Sequence, residues 1–313
     1  MDVTLHIGAH RTGTSTFQDY MRRHVDALAS EGVGYWGPGR RRRGVFRRIA
    51  SPSTKSKRGR LHYGADECVK MQLKEAQERG IHTLIVSDEN VAGTVRGNID
   101  EGCLYNGIGA RVSRFARAFE GHITTVVFCP RSLELYWSSA LSHGLSRGQA
   151  VPDRNKLRGI ALSKRGWRDV ITDLARAVPE AELKIMPFER FAGRPEVFLE
   201  RATGIQGPKD TSRQWLNRAP NLPDLRRVLK NNGNLGAVLP FGMGRWNPFT
   251  PEENAALRET FADDMMWLVA GANGLATLTE DQARERTGKT PSSDAQAQGH
   301  GNEFEERQVA QPG

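Results

Sequence analysis

Residues 6–18 read His6-Ile-Gly-Ala-His-Arg-Thr-Gly-Thr-Ser-Thr-Phe-Gln18 and follow a short apolar run, Val3 to Ile7. An apolar strand, a loop of glycine and hydroxyl residues, then helical spacing is the pattern of a phosphate-cradling loop between a strand and a helix. Gly8 and Gly13 allow tight turns and close approach of an anion to the backbone. The amides of Thr12 to Ser15 fall at the helix start, and Thr12, Thr14, Ser15 and Thr16 add hydroxyl donors. The loop departs from the triphosphatase pattern Gly-x4-Gly-Lys-Ser/Thr. Thr14 stands where the lysine belongs, and the only cation, Arg11, lies three positions early. Such a loop suits a phosphate without being built to cleave a β–γ bond. The plainer alternative is a Gly/Thr turn that only caps a helix; the strand before it and the amphipathic helix after it argue against that.

Working outward, strands and helices alternate. Ser15 to Leu28 has helical spacing, with Phe17, Met21, Val25 and Leu28 on one face. Ala65 to Arg79 is a second helix, closed by Gly80. Thr83 to Ser87 is a short buried strand. Val112 to Phe119 is helical, and Ile123 to Cys129 is the clearest strand, apolar on both faces. Helices are expected at Leu133–Leu145 and Trp167–Ala177, then a last strand at Leu183–Met186. The remainder is helical, over Pro195–Thr203, Leu222–Asn231 and Pro251–Val269. Alternation of this kind predicts an α/β fold: a central parallel sheet covered by helices on both faces, with ligands outside the carboxyl ends of the strands. One domain is expected over residues 1–283. From about Arg284 the chain is polar and nearly free of large apolar residues, the composition of a disordered tail.

The chain has 313 residues and a formal charge of +9, but the charge is concentrated. Gly39 to Arg60 holds ten basic residues and no acidic one, leaving 35 basic against 36 acidic residues elsewhere. This segment reads as an exposed excursion, either a plain solvated loop or a recruiter of an anionic acceptor such as a glycan or lipid headgroup. Balanced charge outside it, with no interleaved aromatics, argues against a nucleic-acid-binding protein. No apolar run approaches the roughly 20 residues of a membrane span. With a strand beginning by residue 3, no signal peptide is expected. Cys68, Cys103 and Cys129 lack metal-ligand spacing and read as reduced thiols. A cytoplasmic protein without a metal is expected.

Two more strand ends carry polar motifs. Arg131 stands after the Ile123–Cys129 strand, and Ser139 follows eight residues later, about two helical turns on. An arginine fork and a hydroxyl suit a second phosphate; an exposed arginine and a small packing residue are the alternative. After Thr83–Ser87 come Asp88, Glu89 and Asn90. A carboxylate there either takes a proton from an acceptor hydroxyl or is an ordinary acidic turn. Trp215, Asn217, Arg245 and Trp246 are candidates for an acceptor side, with packing or surface placement as the alternative.

The combination resembles the sulfotransferases that use 3′-phosphoadenosine-5′-phosphosulfate, especially the bacterial branch related to carbohydrate sulfotransferases. Residues 6–18 look like that family's 5′-phosphosulfate loop. Phe128-Cys-Pro-Arg-Ser-Leu-Glu-Leu-Tyr-Trp-Ser-Ser139 looks like its 3′-phosphate motif. Met186 to Phe191, Phe249 to Glu253 and Phe261 to Asp264 resemble later family segments, so the likeness spans roughly residues 3–270. It implies a three-layer α/β/α fold like that of P-loop nucleoside triphosphate hydrolases. It also implies transfer of a sulfuryl group to a hydroxyl or amine, leaving adenosine 3′,5′-bisphosphate. Arg11, Thr12, Gly13, Thr14, Ser15 and Thr16 would bind the 5′ side, and Arg131 and Ser139 the 3′-phosphate. Glu89 would be the base, with His10 second because an imidazole titrates near neutrality. The family usually has lysine where this chain has Arg11. Arginine clamps oxygens but does not readily donate a proton. A P-loop kinase or ATPase, with Asp88 as its acidic residue, and an inactive nucleotide-binding relative are the alternatives.

Overall fold

The computed structural model describes residues 1–39, 46, 49, 59–209, 215–231 and 239–280. Most of the basic segment 39–60 and all of the expected tail 284–313 lie outside the described residues. Residues 1–279 form one compact unit.

Six strands form one sheet: β1 (Asp2–His6), β2 (Val33–Trp36), β3 (Thr83–Ser87), β4 (Ile123–Phe128), β5 (Glu182–Ile185) and β6 (Thr277–Leu278). Their spatial order is β2-β3-β1-β4-β5-β6, and every pairing is parallel. In chain order the described helices are α1 (Thr14–Arg23), α2 (Val25–Ser30), α3 (Gly59–Glu78), α4 (Val95–Glu101), α5 (Ile108–Ala118), α6 (Leu133–Ser146), α7 (Arg154–Ala161), α8 (Trp167–Ala177), α9 (Phe188–Phe191), α10 (Pro195–Thr203), α11 (Leu222–Asn231) and α12 (Pro251–Val269).

Side chains alternate across a strand, and here the alternation feeds two apolar clusters. Val3, Leu5, Leu84, Val86, Val126, Phe128, Leu183 and Ile185 join the larger one, with α5, α6, α8 and α12. Ile85, Val127 and Met186 join the smaller one, with Phe17, Tyr20 and Met21 of α1 and Phe198 and Leu199 of α10. Both faces are covered, as continuous apolar strands require, consistent with a three-layer α/β/α arrangement.

Several expectations need correction. The apolar stripe from Ser15 to Leu28 is two helices, because the backbone leaves helical geometry at His24 (φ −110°, ψ 15°). β2 was not expected. Its Gly34 interrupts the apolar pattern, yet a Cβ there would lie 2.9 Å from the Ile81 side chain, so a larger residue would make Ile81 shift. Leu183–Met186 is not the last strand; β6 adds a two-residue edge after α12. β4 is apolar on both faces only in its second half, and Thr124 is exposed.

The order of strands sets the site. From β1 the chain runs outward to β2 on one side, and from β4 to β5 on the other. The crevice between the carboxyl ends of β1 and β4 is therefore the topological switch point, where ligands bind in open α/β sheets. The Gly8–Ser15 loop follows β1, and Arg131 follows β4.

Candidate functional site

The loop after β1 is wound tightly. Gly8 has φ +54°, and a Cβ on it would lie 2.6 Å from the Thr14 hydroxyl. Arg11 also adopts a left-handed conformation (φ +66°), unusual for a side-chain-bearing residue. The Thr12 hydroxyl donates to the Ala9 carbonyl (2.6 Å), closing the turn on itself. Gly13 starts α1, and no side chain caps that helix. Thr14 is buried, and its hydroxyl has no hydrogen-bond partner among the described residues. Such groups are rare because they cost stability. This one faces the loop at a helix N-terminus, where an anion is favoured.

Arg131 reaches from β4 to this loop. Its guanidinium donates to the Arg11 carbonyl (2.8 Å) and lies 4.6 Å over the Phe188 ring. Its own carbonyl accepts from the Trp167 indole (2.7 Å), which ties it to α8. The side chain is buried, and its Nε has no partner among the described residues. Burial, opposed by Glu189 but joined by Arg245 and Arg11, lowers its pKa to about 10, so it is charged at neutral pH. Arg11 donates from Nε to Ser139 (3.0 Å) and from its terminal nitrogen to the Asn217 carbonyl (2.8 Å). Burial lowers its pKa too. None of these bonds goes to a carboxylate. Among the described residues, the two guanidiniums therefore hydrogen-bond to neutral oxygens, and Glu189 is the carboxylate whose charge acts on Arg131; a buried cation gains from a further anion. Arg11, Arg131 and Ser139 form one constellation here, since the Ser139 hydroxyl meets Arg11.

The C-terminal part covers the loop. Asn217 donates to the Ser15 hydroxyl (2.8 Å), and the Leu216 amide to the Thr16 hydroxyl (3.1 Å). Beside Thr12–Thr16 opens a cleft walled by Phe17, Met186, Phe188, Phe191, Pro195 and Phe198. His6 lines its floor, neutral because burial pushes its pKa down to about 3.

The two candidate bases are placed differently. His10 turns inward. Its amide donates to the Tyr105 hydroxyl (2.7 Å), its Nδ1 lies 2.9 Å from the same oxygen, and the rings stack. Tyr136 also donates to that oxygen (3.3 Å), so the Tyr105 proton points to His10 Nδ1. Burial raises the Tyr105 pKa well above its ordinary value and that of Tyr136 to about 12, so both stay protonated. Glu89 begins a 3-10 turn capped by the buried Asp88, whose carboxylate accepts from the Asn90 amide (2.9 Å). Its own carboxylate accepts from Gln18 of α1 (2.9 Å), which also reaches Ser87. Glu89 therefore stands beside α1, at the end of the strand next to β1.

Gln18, Tyr105, Trp167, Phe188 and His143 were not singled out from the sequence. His143 follows Ser139 by one turn of α6, and burial, then Arg11 and Arg147, push its pKa down to about 4. The i,i+4 spacing of Ser139 and His143 was the available signal. The others act through contacts that no local pattern announces.

No family model, no curated protein and no solved structure matches the chain.

Proposed function

We propose that the protein is a sulfotransferase that binds 3′-phosphoadenosine-5′-phosphosulfate at the β1/β4 switch point, on a P-loop-like fold. The observation that carries the reading is Arg131: a buried guanidinium with an unpartnered Nε, set against a loop that already holds Arg11 and the orphan Thr14 hydroxyl. A ligand with two anionic groups would compensate both cations, and a nucleotide with a single phosphate would not.

The donor supplies the sulfuryl group. The chain's residues would bind and orient it. Thr14, the amides at the start of α1 and Arg11 would hold the 5′ side, with Thr12, Gly13, Ser15 and Thr16 shaping the loop. Arg131 and Ser139 would take the 3′-phosphate. Arg11, a fixed charge, would stabilise the departing phosphate as an electrostatic clamp. Glu89, steadied by Gln18, would accept the acceptor's proton; His10, engaged with Tyr105, would shape the loop. Calorimetry with adenosine 3′,5′-bisphosphate against 5′-AMP tests the reading. Strong preference for the bisphosphate is expected, and equal affinity would remove it.

One observation favours a second reading, a P-loop phosphotransferase. Asp88 is fully buried at the end of β3, and its second carboxylate oxygen has no partner among the described residues, as a group meeting a magnesium ion would be. Magnesium-dependent ATP turnover without bisphosphate binding would support that alternative.

A further inference from the structure

Two segments beside the site are stitched together. Asn221 and Arg245 form an antiparallel bridge, and the Leu222 amide donates to the Gly244 carbonyl (2.9 Å). The Arg226 side chain fixes the second segment by donating to the carbonyls of Pro240 (2.6 Å) and Gly242 (3.1 Å). Trp246 is buried and roots its end. Leu216 and Asn217 fix the first segment to the phosphate loop.

These anchored segments nevertheless present large apolar side chains to solvent. Phe241 is 96% exposed, Met243 79%, and Trp215 and Leu216 38% each. A backbone fastened by an arginine fork while Phe and Met project between glycines serves no core. Large apolar side chains exposed on two segments joined by the Asn221–Arg245 bridge mark an interaction surface. The charge around it is one-sided. Along the described residues 215–231 and 239–246, Arg218, Arg226, Arg227, Lys230 and Arg245 stand against one acid, Asp224, which pairs with Arg227 at 2.6 Å. Each exposed ring carries a guanidinium: Arg218 lies 5.6 Å from Trp215 and Arg226 5.9 Å from Phe241. Apolar tips with cations beside them fit the boundary of an anionic bilayer, where rings and thioether enter the acyl region and guanidiniums stay with the phosphates.

We propose that the rim formed by Trp215, Leu216, Phe241 and Met243, with its flanking arginines, docks the protein on the surface of an anionic lipid bilayer. The docking stands apart from the transferase reading. Resting on that reading, it adds that the acceptor is displayed at the membrane surface, because the rim adjoins the phosphate loop.

Cosedimentation of the full chain tests it, using vesicles of phosphatidylcholine alone and of equimolar phosphatidylcholine and phosphatidylglycerol. The wild-type chain should bind the anionic vesicles and retain part of that binding in high salt. The double variant Phe241→Ser, Met243→Ser should bind roughly 10- to 100-fold more weakly in high salt, with unchanged affinity for adenosine 3′,5′-bisphosphate. Both side chains are exposed, so the fold should be kept, which a circular dichroism melt checks. Absence of wild-type binding, or equal binding by the double variant, overturns the docking proposal. Vesicle binding without nucleotide binding would leave the docking standing and remove the transferase reading.

Discussion

Thr14→Val should change stability and affinity in opposite directions. The hydroxyl is buried, lies at the N-terminus of α1 and has no partner among the described residues. Leaving a buried polar group unsatisfied costs about 1–3 kcal/mol. Valine keeps the branched shape and removes that cost, so the ligand-free protein should gain about 1 kcal/mol. For a domain of this size the melting temperature should rise by roughly 2 °C. If the hydroxyl is there to meet an anionic oxygen, the same change removes a hydrogen bond to a charged acceptor worth about 1.5–3 kcal/mol. Affinity for adenosine 3′,5′-bisphosphate should therefore fall by roughly 10- to 100-fold. Scanning calorimetry without ligand and titration calorimetry with it read the two effects, and Thr14→Ser, which keeps the hydroxyl, should stay near wild type in affinity. A melting temperature that falls, or an affinity that does not, would refute the reasoning.

Other residues give further expectations. Arg131→Ala should weaken adenosine 3′,5′-bisphosphate by about 10- to 100-fold while leaving 5′-AMP nearly unchanged in the same calorimeter. Glu89→Gln should lower donor turnover by roughly 10²- to 10⁴-fold without weakening donor binding, and Gln18→Leu should lower kcat with KM for the donor little changed. Asp264 accepts from the Trp167 amide (2.7 Å), and burial raises its pKa from 3.8 to about 6. Its folded state holds the proton more tightly, so its contribution is fully present below about pH 4 and is lost as pH rises through about 6. The difference in denaturant midpoint between wild type and Asp264→Asn should change across that window and level off above it.

The parts of the fold that sequence revealed are those whose signals are local and strong. α8, α10, α11 and α12 begin and end where expected. α12 is announced by Thr250, Pro251 and Glu253, which form a capping box with proline in the first turn. α10 has Pro195 at its start and Gly204 in a left-handed conformation at its end. β6 has two residues and no alternation to read, and the break at His24 involves neither glycine nor proline. At the site, the loop and the Arg131–Ser139 spacing were legible because each sits at one strand end. Their meeting followed only from the resemblance, because it depends on β4 lying beside β1, which strand–helix alternation does not fix. Arg11 and Asn217 are 206 positions apart and meet only through the tertiary fold. The inward turn of His10 follows from Tyr105, whose partner Asn98 is set by the packing of α4.

The most direct test of the central claim is a crystal structure with adenosine 3′,5′-bisphosphate bound. The account predicts the 5′-phosphate within hydrogen-bonding distance of Thr14 Oγ1 and Arg11, and the 3′-phosphate on the Arg131 guanidinium. A nucleotide bound elsewhere, or an Arg131 that still donates only to the Arg11 carbonyl, would contradict it.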